Sequence, residues 1–403
     1  MNRQAIVAAL FSLLLIAPQL RAGEVVRWNR LATDAALAEQ TDPLTESRVF
    51  AITHAAMHDA LNAIDRRYEP YREGVAATPG ALPEAAVAAA AHAALIELMP
   101  ARKADFDLQF AETLAQIKDK PASAAGMRVG RQAAARLLAL RRDDGASRPV
   151  AHPAGTKAGE YRPTPPDFTP ALFAHWGKVQ PFVLKSSSQF RPAAPLAPTS
   201  ARARAEIEEV RAIGGKTSAL RSAEQSEISR YWYESSPQGW NRITREVEAS
   251  RGLDEWQSAR LFALVNLAMA EGYIGGFEAK YHFNYWRPAT AIRESGDASW
   301  LPELGTPPVP DYPSTHTVLG AAAAAVLARF FGTDMVSFSM TSGAPYAGIT
   351  RRFWSFSEAA QENGASRILA GIHFASAVRA GYVQGDLIGA WTYDRALRPV
   401  RAE

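Results

Sequence analysis

The chain has 403 residues, of which 47% are hydrophobic and 21% charged, so it is long and apolar enough to bury one large core or two smaller ones. Lysine and arginine total 44 against 41 aspartates and glutamates, and no basic run is long enough to follow a phosphate backbone, which argues against nucleic acid as a partner. Cysteine is absent, which excludes disulfides, thiolate metal sites and a cysteine nucleophile.

The first residues have the pattern of an export signal. Arg3 supplies a positive charge, residues 5–17 are almost wholly apolar, and residues 18–22 have the features of a cleavage region. We expect cleavage after Ala22 and a mature protein that is periplasmic or secreted. The large Leu20 leaves a retained membrane anchor as the alternative, but the apolar run is short for a bilayer span, and no later segment is long and apolar enough.

Residues 23–142 have apolar positions recurring at three and four, which predicts an amino-terminal helical bundle. Asp42 is suited to cap a helix whose first turn contains Pro43. Further helices are predicted over residues 83–99, 105–117 and 122–140.

Residues 143–200 lack any periodic pattern because prolines, glycines and serines interrupt it. Aromatic residues are nevertheless spread through this segment, and flexible linkers seldom contain so many. The pattern indicates a long ordered loop that lies over the helices and is a candidate pocket wall. The aromatic residues are Tyr161, Phe168, Phe173, Trp176, Phe182 and Phe190.

Helical periodicity returns in residues 201–403, the predicted catalytic region, and no strand of convincing length appears. The sequence therefore predicts an all-α fold, with one or more helical bundles and long irregular loops. Three short segments of this region, residues 280–288, 313–316 and 366–373, combine basic residues and histidines near predicted helix ends.

The first two segments predict an anion site. Lys280 and Arg287 are seven residues apart, which predicts two cations on one face of a helix that Pro288 ends. Ser314 precedes an apolar run and is expected to begin a helix, whose free backbone N–H groups and serine hydroxyl would face a bound anion.

The third segment adds a cation and a histidine. Gly364 and Ser366 are expected to begin another helix, with Arg367 in its first turn and His373 deeper in its body. With His316 of the second segment, these residues predict an oxyanion site formed by three cations and two histidines. A single lysine, arginine or histidine would more often be structural or solvated, so the prediction depends on the whole set.

The three segments resemble the superfamily that joins type-2 phosphatidic acid phosphatases, bacterial acid phosphatases and vanadium-dependent haloperoxidases. That superfamily is marked by Lys-x6-Arg-Pro, Pro-Ser-Gly-His and Ser-Arg-x5-His-x3-Asp, in this order and in the carboxy-terminal half. All three motifs are matched here, apart from two substitutions. Residues 49–71 are similar to the soluble, haloperoxidase-like bacterial branch, so the resemblance covers most of the mature chain.

The resemblance implies a role for each motif residue. Lys280, Arg287 and Arg367 would hold the oxygens of phosphate or vanadate through charge-assisted hydrogen bonds. Ser314 and the backbone of Thr315 would complete the cradle.

The two histidines would have different roles. His373 would be the axial residue, which coordinates vanadium in a peroxidase or attacks phosphorus in a phosphatase. His316 would be the acid–base group.

Two positions depart from the motifs. Thr315 replaces a glycine, and its branched side chain is expected to lie close to the anion and narrow the site. Ala377 replaces the aspartate four residues after the axial histidine, where a carboxylate would orient the imidazole. Its absence weakens the phosphohistidine route more than vanadate coordination, although a backbone carbonyl could serve instead.

Other polar and aromatic residues favour structural explanations. His54 and His58 lie four apart beside Asp59, which is a metal-ligand spacing, but no third ligand is identifiable and the neighbouring residues indicate a packed helix. The aromatic residues around His282 either line a substrate cavity or belong to the core, and His282 itself is assigned no role.

The resemblance implies one of two enzymatic activities. In a vanadate-dependent haloperoxidase, hydrogen peroxide would oxidise halide at vanadate held by His373, with Lys280 polarising the peroxide. Phe277 stands where such enzymes tend to have an aromatic residue near the halide. Val309, seven residues before His316, stands where they tend to have an aromatic residue or histidine, so the halide preference is open.

The alternative is an exported acid phosphatase that hydrolyses phosphomonoesters without a cofactor. His373 would be its nucleophile, and His316 would protonate the leaving group. One cradle serves both activities because vanadate resembles the trigonal-bipyramidal state of phosphoryl transfer. A non-catalytic oxyanion-binding protein is the third hypothesis, and the sequence leaves the natural substrate and the oligomeric state open.

Overall fold

The computed structural model describes residues 23–400, and the predicted export signal lies outside the described residues. Within residues 23–400 there are thirteen α-helices and one short antiparallel sheet, which confirms the all-α class. The elements are α1 (Glu24–Ala38), α2 (Pro43–Asn62), α3 (Pro83–Leu98), α4 (Lys103–Gln116), α5 (Lys120–Arg141), α6 (Ala201–Ile213), α7 (Ala223–Tyr231), α8 (Ser236–Ala249), α9 (Glu255–Phe283), α10 (Pro288–Glu294), α11 (Thr315–Phe331), β1 (Phe338–Thr341), β2 (Thr350–Phe353), α12 (Phe356–Leu369) and α13 (Ala375–Arg395).

The amino-terminal helices begin where capping residues predict. The side chain of Asp42 accepts hydrogen bonds from the amides of Leu44 and Thr45, both at 3.0 Å, and Pro43 occupies the first turn of α2. Helix α2 packs against α3 and α9, so the helices before residue 142 share a core with those after residue 201. The division of the chain into separate regions stays a prediction.

Helix α9 is the central element of this core. It begins with a reciprocal capping box between Asp254 and Gln257, and nearly all of its residues are buried. A helix that is apolar on every side must be surrounded by other elements, and α2, α11 and α13 pack around α9. Helix α9 ends at Phe283, because the next residue, Asn284, has a left-handed backbone (φ 48°) that stops the helix just after Lys280.

Helices α11 and α13 approach each other closely along a row of three glycines. A Cβ built on Gly381, Gly385 or Gly389 of α13 would lie 2.2 to 2.5 Å from a backbone carbonyl oxygen of residues 314–322. Real Cβ atoms do not make such contacts, so this packing requires glycine. The row brings the start of α13 against the start of α11, which contains part of the candidate site.

The segment of residues 143–200 packs against α9, with one 3₁₀ turn at Trp176–Lys178. The buried carboxylate of Glu271 in α9 accepts hydrogen bonds from the amides of Val183 and Leu184. The ring of Phe173 lies edge-on to that of Phe277, with centroids 6.3 Å apart. The segment therefore covers the part of α9 that leads to Lys280.

The strands β1 and β2 were not predicted from the sequence. They pair from Phe338 opposite Phe353 to Thr341 opposite Thr350. Each strand has four residues, too few for an alternating pattern to stand out. Across residues 23–400, no helix has the length and apolar character needed to cross a membrane.

Candidate active site

Lys280 and Arg287 lie on different elements, so the prediction of one shared helix face is wrong. Helix α9 ends at Phe283, and Arg287 is the residue that precedes the first turn of α10. Pro288 begins α10 instead of ending α9, because a proline fits the first turn of a helix as well as the position after one. The turn between the two helices still brings both cations to one place.

The ammonium group of Lys280 is fully buried and held by backbone carbonyls. It donates hydrogen bonds to Pro310 O at 2.7 Å and Asp311 O at 2.9 Å. Burial, followed by the positive charge of Arg287, lowers the pKa of Lys280 well below its ordinary value. An ammonium has three N–H donors, so one remains for a ligand.

The guanidinium of Arg287 is held by the same loop. Its Nε donates to Val309 O at 2.7 Å, and its Nη1 donates to Ile372 O at 2.7 Å. Nη1 also lies 3.1 Å from Nε2 of His373. These contacts fix the plane of the guanidinium and leave Nη2 without a partner among residues 23–400.

Helix α11 begins as predicted, with Ser314 as its cap residue. The hydroxyl of Ser314 accepts a hydrogen bond from Thr317 Oγ1 at 2.9 Å and keeps its own proton for another acceptor. The methyl group of Thr315 is accommodated by α9, at a position where Gly276 has no side chain. The added branch therefore packs against a neighbouring helix.

The predicted positions of Arg367 and His373 within a helix are wrong. Helix α12 begins at Phe356, so Arg367 lies in its last turn, and His373 lies in the loop between α12 and α13. The side chain of Ser355 caps α12, whereas Gly364 and Ser366 are interior residues. Gly364 and Ser366 predict the start of a helix because both residue types are common at helix ends, but here they lie within α12.

Arg367 brings a third buried cation to the site. Its Nη1 donates to Trp232 O at 3.2 Å, and its buried Nε has no hydrogen-bond partner among residues 23–400. Burial lowers the pKa of Arg367 to about 10, so the guanidinium stays charged at neutral pH. The unpartnered Nε is a donor available to an anion.

His316 is held by a residue that the sequence analysis missed. Its Nδ1 lies 2.8 Å from the hydroxyl of Ser236, the first residue of α8, while its Nε2 is buried with no partner among residues 23–400. Burial and the charge of Arg367 lower the pKa of His316 well below its ordinary value. Ser236 is 80 residues away in sequence, and no local signal connects it with the motif.

A carboxylate faces His373, although position 377 has none. The Oδ1 atom of Asp311 lies 2.8 Å from His373 Nδ1 and 4.0 Å from Arg287 Nη1. Burial raises the pKa of Asp311 to about 7, against the opposing effect of Arg287 and Lys280. Burial and the neighbouring cations lower the pKa of His373 well below its ordinary value, so its imidazole is neutral at neutral pH. Asp311, two residues before the second motif, was not among the predicted site residues.

The site has an excess of positive charge, which fits the binding of an oxyanion. Lys280, Arg287 and Arg367 are buried together, and among residues 23–400 Asp311 is the one carboxylate within ion-pair distance of any of them. Buried charges are costly unless they are paired. The remaining donors of the three cations, with Nε2 of His316, can supply that pairing to phosphate or vanadate.

The other histidines of interest have structural partners. His54 Nδ1 donates to Phe50 O at 2.7 Å, and its Nε2 lies 2.9 Å from the side-chain amide of Asn29. His58 contacts Asp59 and Asn62. No cluster of three metal-ligating side chains occurs within residues 23–400.

Known proteins share this arrangement of helices. The family described as the VCPO second helical-bundle domain matches residues 260–402, which include all three motif segments. The crystal structure of a bacterial vanadium-dependent iodoperoxidase superposes with a TM-score of 0.84 at 26% identity and covers 94% of this chain and 98% of that one. The family match and the shared fold together support a place for this chain in the vanadium haloperoxidase superfamily.

Other vanadium haloperoxidases match over a smaller share of the chain or with a lower TM-score. Vanadium chloroperoxidase of Curvularia inaequalis is 28% identical over 232 residues, which are 40% of this chain and 38% of that protein. The match thus spans well under half of the relative's length. Holo and apo crystal structures of a bacterial vanadium-dependent chloroperoxidase share the fold, with TM-scores of 0.72 at 17% and 16% identity. They cover 88% of this chain and 91% and 93% of those chains.

Proposed function

We propose that the protein is an exported, vanadate-dependent haloperoxidase that oxidises halide with hydrogen peroxide. The observation that carries the proposal is the cluster of Lys280, Arg287 and Arg367, three buried cations with donors left for an oxyanion. Bound vanadate would supply the Lewis-acid chemistry that activates peroxide toward halide.

The three cations would hold the anion's oxygens, together with the hydroxyl of Ser314 and the backbone of Thr315. Each cation is already fixed by backbone carbonyls, so little ordering is needed when the anion binds. The neutral imidazole of His373 would be the vanadium ligand, since only an unprotonated nitrogen can coordinate a metal. These residues would therefore provide both positive charge and a nitrogen ligand for vanadate.

His316 would move the proton that peroxide must lose. Its Nδ1 is held by Ser236, which leaves Nε2 directed away from that contact and without another partner among residues 23–400. The lowered pKa keeps the imidazole neutral, so it can accept a proton at neutral pH. Phe277 and Val309 are the residues we propose to influence the halide preference.

An acid phosphatase remains the second candidate. The contact between Asp311 and His373 favours it, because a carboxylate behind the imidazole makes the histidine a better nucleophile. In that reaction His373 would attack phosphorus while His316 protonates the leaving group, and no cofactor would be needed. The same cradle would bind phosphomonoesters in place of vanadate.

One paired assay separates the candidates. The purified protein is tested, with and without orthovanadate, for oxidation of bromide and iodide by hydrogen peroxide and for hydrolysis of an aryl phosphate. Halide oxidation that needs orthovanadate and is suppressed by phosphate supports the haloperoxidase. Hydrolysis that orthovanadate inhibits supports the phosphatase, and binding of orthovanadate with neither activity supports a non-catalytic oxyanion-binding protein.

The assay is repeated on His373→Ala, which we expect to abolish either activity. His282→Ala is the matched control, because His282 is an exposed histidine in the last turn of α9 near Lys280. Normal turnover by His373→Ala would refute both assignments. Loss of activity in both variants would indicate that the substitutions disturb the local structure, and would not support a role of His373.

A further inference from the structure

The imidazole of His373 lies beside a carboxylate from the loop before α11, outside the three motifs. We infer that Asp311 is the positioning residue of His373, which it holds with Nδ1 protonated and Nε2 directed toward the anion. The inference rests on the proposed function in one respect, because it treats His373 as the residue that binds vanadate. The remaining argument uses contacts within the protein.

The contact with Arg287 determines which nitrogen of His373 has the proton. Arg287 Nη1 lies 3.1 Å from Nε2, and a guanidinium can only donate a hydrogen bond. Nε2 must therefore be the acceptor, and a neutral imidazole then has its proton on Nδ1. Asp311 Oδ1 lies 2.8 Å from Nδ1, the nitrogen that has this proton.

The contact between Nδ1 and Oδ1 is an ion-pair distance of 2.8 Å, and neither atom has a partner of full hydrogen-bond geometry among residues 23–400. The other groups near the carboxylate are the Phe374 amide and Arg287, which both stabilise its charged form. The carboxylate beside Nδ1 and the donor of Arg287 beside Nε2 favour the same tautomer, with the proton on Nδ1 and the lone pair on Nε2. Metal-bound histidines are commonly oriented by a carboxylate or carbonyl on the other ring nitrogen.

The backbone holds Asp311 firmly in this position. Its amide donates to Tyr285 O at 2.8 Å, and its carbonyl accepts from Lys280 Nζ at 2.9 Å. Its side chain is fully buried, so the carboxylate cannot turn toward solvent. The residue therefore connects His373 with Lys280 and with the turn before Arg287.

The structure also explains why position 377 can be an alanine. Ala377 is fully buried in the first turn of α13, and its carbonyl accepts a hydrogen bond from the amide of Ser314 at 3.0 Å. Because α13 lies this close to the start of α11, a small residue fits the interface. The carboxylate comes instead from the loop before Ser314, so the chain retains this function without the motif aspartate.

The test compares Asp311→Asn and Asp311→Ala with the wild type, using orthovanadate and inorganic phosphate as probes. We expect the orthovanadate affinity to fall about ten- to hundredfold in Asp311→Ala and less in Asp311→Asn, whose amide oxygen can still accept from Nδ1. Nitrogen-15 NMR of histidine-labelled protein without vanadate should show His373 with its proton on Nδ1 in the wild type. That signal, assigned by its absence in His373→Gln, should shift in Asp311→Ala, because Nδ1–H loses the neighbouring carboxylate.

Asp59→Ala is the matched control, since Asp59 is a buried carboxylate that accepts hydrogen bonds from the amides of Tyr71 and Arg72. It should lower the unfolding midpoint without changing the tautomer of His373. Equal orthovanadate affinity in all Asp311 variants, with the Nδ1 signal unshifted, would overturn the inference. If Asp311→Ala does not fold, Asp311→Asn is the test. A severalfold loss of orthovanadate affinity in that variant supports the inference, and an unchanged affinity overturns it. A wild type that binds orthovanadate without oxidising halide would refute the proposed function and leave this inference standing.

Discussion

The methyl group of Thr315 lies where a side chain on Gly276 would have to be placed. A Cβ built on Gly276 would be 2.5 Å from Thr315 Cγ2, closer than real Cβ contacts allow. The threonine at the start of α11 and the glycine in α9 are therefore a matched pair. This pair permits a branched residue where the superfamily motif has glycine.

We expect Gly276→Ala to destabilise the wild type by about 1–3 kcal/mol, because the added methyl overpacks the helix interface. In a Thr315→Ser background, which lacks the methyl, the same change should be neutral or stabilising by up to about 1 kcal/mol, because alanine favours helix over glycine. Unfolding midpoints of the four proteins measure this coupling. Equal effects of Gly276→Ala in both backgrounds would contradict the pairing.

Replacing Arg367 with lysine should weaken orthovanadate and phosphate binding roughly ten- to hundredfold. The charge remains, but the unpartnered Nε and the planar geometry of the guanidinium are lost. Equilibrium binding of each anion provides the measurement. Arg352→Lys is the control, since Arg352 is exposed on β2 and should leave both affinities unchanged.

Ser236→Ala should reduce turnover about tenfold with little loss of orthovanadate affinity, because it removes the partner of His316 Nδ1 and leaves the cations in place. Steady-state kinetics at saturating orthovanadate, combined with direct binding, distinguishes the two effects. Ser250→Ala, at the other end of α8, is the control. A fall in affinity as large as the fall in turnover would argue for general disruption of the site.

The pH dependence of stability should contain a contribution from Glu46, a buried residue in the first turn of α2. Its carboxylate accepts hydrogen bonds from Ser235 and Gln238, and burial raises its pKa from 4.5 to about 7. Between these two values the folded state retains a proton that the unfolded state has released. Stability therefore falls by about 3 kcal/mol as the pH rises from 4.5 to 7, and does not fall further above 7.

Glu46→Gln should remove this dependence because the amide does not titrate. Thermal unfolding of the wild type and the variant is compared at pH 5 and pH 8. We expect the variant to gain stability relative to the wild type at the higher pH. A difference between the two proteins that is the same at both values would contradict the raised pKa.

Several predicted site residues lie together in the fold, but their placement on helices differs from the prediction. The starts of α2 at Asp42 and of α11 at Ser314 were predicted correctly, and the side chain of Asp42 caps its helix while that of Ser314 does not. Pro288 was misread because a proline is compatible with both the end and the start of a helix. The left-handed residue Asn284, which separates Lys280 from Arg287, gives no strong signal in a single sequence.

The partners of the two histidines could not be predicted from sequence for a different reason. Ser236 and Asp311 reach His316 and His373 only after folding brings α8 and the loop before α11 to the site. No periodic pattern relates positions so far apart in the chain. The superfamily motif has a carboxylate four residues after His373, where this chain has Ala377, and no local pattern marked Asp311 as a neighbour of His373.

The carbonyls of residues 309–311 would allow the protein to complete its fold before an anion binds. They accept hydrogen bonds from Lys280 and Arg287 and so offset part of the cost of burying both cations. Chain folding and anion binding can then be separate events. An anion that enters in this way could also leave and be replaced without unfolding the chain.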